Sequence, residues 1–146
     1  MSSASPLAPP RSGTLEHTAD LGLWVTADDP GQLFIAAVGA LAELMVSGPR
    51  EGGVTWLALE LAGGDLAELL VALLNEIVYQ WDGESNLAVA LELAELSPIR
   101  LGGRLGVIPR DPAIHQVAEP IKAVTYHRAV VEPQGHGWRA QVFLDV

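Results

Sequence analysis

Two periods divide this chain. Leu33, Phe34, Ala37, Val38, Leu41, Leu44 and Met45 recur at three- and four-residue intervals, which predicts a helix with one apolar face. Asp29-Pro30 supplies its start, an N-cap carboxylate followed by a proline at the first helical position, and Ser47-Gly48-Pro49 supplies its stop. A second run, Leu66, Leu69, Leu70, Leu73, Leu74, Ile77, Val78 and Trp81, is the clearest amphipathic helix of the chain. Asp65 with Glu68 three residues on looks like an Asp version of a capping box, and residues 82–86 end the run.

Elsewhere apolar and polar residues alternate. Residues 21–27, 54–62, 87–96, 99–108, 120–132 and 137–146 read as strands, with Leu57, Leu59 and Leu61 on one face of the second. Ser97-Pro98 is expected to turn between the third and fourth, with Gly102-Gly103 as the alternative turn. Residues 133–137 join the last two as a hairpin, and 109–117 form a Pro-containing loop that holds His115. The order is strand, helix, strand, helix, then about four strands. It predicts an α+β fold: a largely antiparallel or mixed sheet with two main helices packed on one face. Regular βαβ alternation is absent, which disfavours a doubly wound nucleotide fold. Residues 1–13 are rich in Ser, Ala, Pro and Gly without an apolar period, so a disordered tail is expected ahead of a single domain, 14–146.

Composition narrows the function classes. With 49% hydrophobic residues but only two Phe and two Tyr, Leu, Val and Ala must fill the core. A chain of this size buries roughly two thirds of its unfolded surface. No cysteine is present, which excludes disulfides, thiolate zinc sites and a Cys nucleophile and is compatible with a reducing compartment. The start lacks a basic segment followed by an apolar run, and no apolar stretch is long enough to span a bilayer, so a cytoplasmic location is expected. The formal net charge of −10 repels phosphate backbones, so direct nucleic-acid binding is not expected. Acidity suits a basic protein partner or bound cations, or serves solubility alone.

The familiar catalytic patterns are missing. There is no phosphate-binding Gly-x-x-x-x-Gly-Lys loop, no Gly-x-Gly-x-x-Gly after a strand, no His-Glu-x-x-His helix and no nucleophile elbow. Lys122 is the only lysine, against seven arginines. It shares one strand face with Tyr126, and Thr125 and His127 take the other. Of the four histidines, His17 and His127 stand in distinctive segments, while His136 reads as a hairpin-tip residue. Asp20 opens the first strand after Glu16-His17-Thr18-Ala19, and Asp145 is penultimate in the last. Taken alone, both are ordinary solvated strand-end carboxylates, and two carboxylates only begin a Ca²⁺ or Mg²⁺ site. The α-carboxylate expected at Val146 would add a third anionic group beside Asp145.

Taken together, these segments resemble the archease family. Glu16-His17-Thr18-Ala19-Asp20-Leu21-Gly22 matches its opening signature, and Phe34 through Met45 is similar to its first helix. Leu73-Leu74-Asn75-Glu76 with Trp81-Asp82 resembles its second helix and turn. Ile121-Lys122-Ala123-Val124-Thr125-Tyr126-His127 matches its most distinctive strand, and Gly137-Trp138-Arg139-Ala140 through Asp145-Val146 its closing one. The resemblance spans 14–146 in order. It implies helices on one side of a sheet and a divalent metal, usually Ca²⁺ with Mg²⁺ as the alternative, at Asp20, Asp145 and the backbone of Val146. It also implies a role as accessory to an RtcB-type RNA ligase, promoting its GTP-dependent guanylylation in tRNA splicing and RNA repair. An older reading of the family is a chaperone for a tRNA methyltransferase. His17, Lys122 and His127 are the further candidates for partner contact. Departures from the family pattern fall at Gln32, Ile35 and Val107. A third class, a hydrolase using Asp20, Asp145 and a metal, lacks an evident activated nucleophile.

Overall fold

The computed structural model describes the backbone of residues 10–17 and 20–146, and the side chains of these apart from 15–17 and 20. The paired backbone begins at Arg11, ahead of the expected Thr14. Strand β1 (Arg11–His17) runs antiparallel to β2 (Asp20–Ala27), from Arg11 opposite Thr26 to His17 opposite Asp20. Gly13 pairs with Trp24, and a Cβ at Gly13 would run into the Trp24 indole. Arg11, Ser12 and Thr14 are polar, which is why the segment shows no apolar alternation.

Helix α1 (Pro30–Met45) starts as expected: Asp29 Oδ1 accepts the Gln32 N–H at 2.8 Å, with Pro30 in the first turn. It leads into a two-residue strand, β3 (Val46–Ser47), and then β4 (Thr55–Ala62). Helix α2 (Leu66–Glu84) is capped by Asp65, whose Oδ1 accepts the Glu68 N–H at 2.8 Å. The Glu68 carboxylate reaches back to the Gly64 N–H at 2.9 Å, one residue short of a true capping box. Ser85, left-handed at φ 57°, ends the helix. Next come β5 (Asn86–Leu96) and β6 (Arg100–Pro109), joined at Ser97-Pro98 and not at Gly102-Gly103. Gly103 lies inside β6, where a Cβ would meet the Glu92 carbonyl of the irregular β5. The chain closes with β7 (Gln116–Val117), β8 (Ala123–Gln134) and β9 (Gly137–Asp145).

The class is α+β and every strand pairing is antiparallel. The strands divide between a four-stranded sheet, β1-β2-β9-β8, a three-stranded sheet, β4-β6-β5, and the small β3-β7 pair. Both helices bridge the larger sheets: α1 packs on β2 and β5, α2 on β8 and β5. Their shared core includes Leu33, Phe34, Leu41, Leu69, Leu73 and Leu74, all fully buried. Each such side chain contributes roughly 1.5–3 kcal/mol relative to exposure. No helix among the described residues is long and apolar enough to cross a membrane.

His115 is structural. It is buried, its Nδ1 accepts the Asp111 N–H at 2.9 Å, and its Nε2 lies 2.8 Å from the Pro49 carbonyl. Those two partners define the tautomer with the proton on Nε2. The imidazole thereby straps the 110–115 loop to the segment after α1. Gly48, at φ +116°, sits where a Cβ would strike the Ile114 carbonyl of the same loop.

Candidate functional site

One end of the four-stranded sheet gathers most of the residues singled out from the sequence. Strand β2 begins at Asp20 and β9 ends at Asp145; Leu21 stands opposite Leu144. Continued by one step, that antiparallel register sets positions 20 and 145 on adjacent strands. Position 17, the end of β1, pairs with position 20 on the other side. Ala123 pairs with Asp145, and the Lys122 N–H donates to the Asp145 carbonyl at 2.7 Å. Residues 17, 20, 122 and 145 therefore share one sheet end although they are far apart in the chain. The side chains of His17 and Asp20 lie outside the described residues.

Asp145, Val146 and Lys122 are all exposed. Val146 and Lys122 help line a hollow of about 270 Å³ beneath this end, together with Asp82, Arg110 and Glu119. The Arg110 guanidinium lies 4.1 Å over the Trp81 ring. Neither Asp82 nor Glu119 stood out in the sequence as a site residue. Asp82 closes the Trp81-Asp82 pair after an apolar helix face, which was the available signal; Glu119 sits in a loop and carried none.

A divalent cation can be tested against this donor set. The donors described at this end are oxygens, the Asp145 carboxylate and main-chain carbonyls, and the chain has no thiolate. Such a set fits Ca²⁺ or Mg²⁺ and not a thiophilic metal. Among the described residues, which do not include the Asp20 side chain, no three His, Asp or Glu side chains cluster as a metal centre.

His127 is placed differently from the expected alternation. Thr125 pairs with Phe143 and Val130 with Gln141, so Tyr126, His127, Arg128 and Ala129 stand opposite Val142 alone. Simple alternation therefore does not carry through this bulge. Arg128 takes a left-handed φ of 65°, and its guanidinium lies 4.5 Å over the Phe143 ring. The His127 side chain is exposed, and its N–H donates to Thr125 Oγ1 at 3.1 Å. Bulges often re-aim side chains beside functional sites.

The bulge is tethered to α2 by Tyr126, whose phenol donates to Asp65 Oδ2 at 3.2 Å. That hydrogen bond to Asp65, then the Asp65 charge, burial and the Glu68 charge, raise the Tyr126 pKa above its ordinary 10.0. The neutral phenol is the bonded form. Its contribution is therefore complete below the ordinary value and lost as pH rises through the higher folded-state value. In a near-ultraviolet alkaline titration, one of the two tyrosines should ionise above the ordinary range, and Asp65→Asn should bring it back. Normal ionisation of both tyrosines in the unaltered chain would refute the tether.

The archease protein family profile matches residues 13–146. The chain belongs to the archease family. Protein archease of Methanopyrus kandleri is 34% identical over 135 residues, covering 90% of this chain and 96% of that one. Protein archease of Pyrococcus furiosus is 32% identical over 137 residues, covering 90% and 95%. The solution structure of a Methanobacterium thermoautotrophicum protein matches with a TM-score of 0.66 at 21% identity, over 92% of this chain and 98% of that one. The crystal structure of a Thermotoga maritima archease, described as a possible chaperone, matches with a TM-score of 0.61 at 17% identity, over 90% and 94%. These two likenesses show that the bridged two-sheet arrangement is the archease fold.

Proposed function

We propose that this archease is a non-catalytic accessory protein that activates an RtcB-type RNA ligase by promoting its GTP-dependent guanylylation, with a divalent cation, Ca²⁺ or Mg²⁺, held at Asp20, Asp145 and the backbone of Val146. The observation that carries this reading is the β2–β9 register, which sets positions 20 and 145 side by side with Lys122 pinned to the Asp145 carbonyl. The cation would supply positive charge at an acidic sheet end. The chain's own residues orient the surface: Lys122 presents the single ammonium, and His17 and His127 are the adjacent contact candidates. In the ligase, a histidine attacks the α-phosphorus of GTP and pyrophosphate leaves; the accessory protein donates no atom to the product.

Guanylylation of a purified cognate ligase with labelled GTP tests this. Added archease should raise the rate of label transfer, while archease alone should neither seal RNA nor hydrolyse GTP. Lys122→Ala should remove about 1–3 kcal/mol of the coupling, a roughly 5- to 150-fold loss of stimulation, with little change in melting temperature. If Lys122→Ala unfolds the chain and Lys122→Met does not, the lysine stem is structural and its assignment as a contact fails.

A second reading is a chaperone-like modulator of a tRNA methyltransferase. The description of the Thermotoga maritima relative as a possible chaperone favours it. Suppressed aggregation of a methyltransferase, without any change in ligase guanylylation, would select this reading.

A further inference from the structure

Sheet edges differ in how they are protected. The β8 edge is closed at Val124, whose C=O accepts from Asn75 Nδ2 at 2.9 Å and whose N–H donates to Asn75 Oδ1 at 2.9 Å. Farther along, β8 carries the wide bulge and Pro133. The β5 edge is broken by register shifts at Ala88/Ala90 and Leu93/Glu95. Bulges, prolines and covering elements are the usual defences against an added strand.

Strand β4 has none of them. It is the other outer strand of the three-stranded sheet, and its eight residues pair with β6 without a shift from Thr55–Val107 to Ala62–Arg100. It contains no Pro, Gly, Lys or Arg. Every second residue of such a strand turns its N–H and C=O away from its only neighbour. Beside it runs a groove of about 500 Å³, lined by residues 56–61 and by Glu76 and Gln80 of α2. Leu57, Leu59 and Leu61 face the protein interior, while the Glu60 side chain is 80% exposed on the opposite face. The cations nearest this edge are already engaged: Arg100 with Glu60 and Glu95, and Arg104 with Glu92 and the Trp56 ring.

We propose that the β4 edge docks, by strand addition, an extended segment of a partner protein in which apolar and basic residues alternate. The main chain of that segment would take the free β4 N–H and C=O groups. Its apolar side chains would continue the Leu57, Leu59 and Leu61 face, and its basic side chains would fall on the opposite face, beside Glu60. Charge selects this occupant over a second copy, because another copy brings an equally acidic groove and a net charge of −10. The proposal does not rest on the RNA-ligase reading; ligase stimulation can fail while this edge still binds.

The test uses the full chain and a synthetic peptide of alternating valine and lysine, matched to the eight residues of β4. Residue-resolved amide exchange should slow by about tenfold or more within 55–62 and stay unchanged elsewhere. Glu60→Lys should weaken binding by about fivefold at an unchanged melting temperature, the scale of an exposed ion pair. A valine–glutamate peptide that binds equally well would overturn the proposal. So would protection at some other surface, or protection of β4 that grows with protein concentration in the absence of peptide, which would make a second copy the occupant.

Discussion

Replacing Asn75 with alanine is expected to lower the melting temperature by roughly 5–12 °C, measured by calorimetry. Asn75 follows Leu73-Leu74 on α2, and both ends of its amide are used. Nδ2 donates to the Val124 carbonyl and Oδ1 accepts the Val124 N–H, each at 2.9 Å. Val124 is buried and, although it pairs with Leu144, its polar groups turn away from β9 toward the helix. Truncation leaves a donor and an acceptor without partners, at a cost of about 1–3 kcal/mol for each group left unsatisfied. Together the two groups cost about 2–6 kcal/mol, and the lower part of that range, about 2–4 kcal/mol at a strand edge that water can reach, converts to the expected shift for a chain of this size. Asn75→Asp keeps the acceptor and loses the donor, so it separates the two bonds. A change of less than about 2 °C in the alanine variant would mean that water replaces the amide and that the β8 edge does not depend on it.

That residue also shows what could and could not be read from the chain. The helices were legible because their signals are local: Asp29 and Asp65 cap as their positions implied, and the apolar period defines the buried faces. The motif Leu73-Leu74-Asn75-Glu76 was visible, but the task of Asn75 was not, since its partner lies 49 positions away. The split into two sheets was hidden for the same reason; alternation gives each strand a face but does not name its neighbours. The β8 bulge left no mark in the pattern either. Tyr126 through Ala129 read as ordinary strand residues, yet they occupy the space of one partner residue, so regular alternation breaks at His127. The start of β1 was masked by its polar residues, Arg11, Ser12 and Thr14, which give no apolar alternation.

Calcium is expected to raise the melting temperature of the unaltered chain, and Asp20→Asn or Asp145→Asn should remove most of that rise. Register supplies the reason. Leu21 and Leu144 are partners, and positions 20 and 145 are the next pair outward on neighbouring strands. Adjacent strands lie about 4.7–4.9 Å apart, so carboxylates brought together at these two positions would repel without a cation between them. A cation bound only by the folded chain adds about 2.7 kcal/mol of stability at a concentration 100 times its dissociation constant. Without metal, the sign reverses: each asparagine variant should be as stable as the unaltered chain or slightly more so, because one member of a like-charged pair is gone. This crossover separates a cation site from a merely structural role for either aspartate, which would destabilise the chain with and without calcium. Lys122 provides an internal control, since its N–H, not its ammonium, is the group bonded to the Asp145 carbonyl. Lys122→Met should therefore leave the calcium response in place while the guanylylation response falls. Isothermal titration of calcium into the unaltered chain and the two asparagine variants decides the matter: equal affinity in all three would remove the cation from this sheet end.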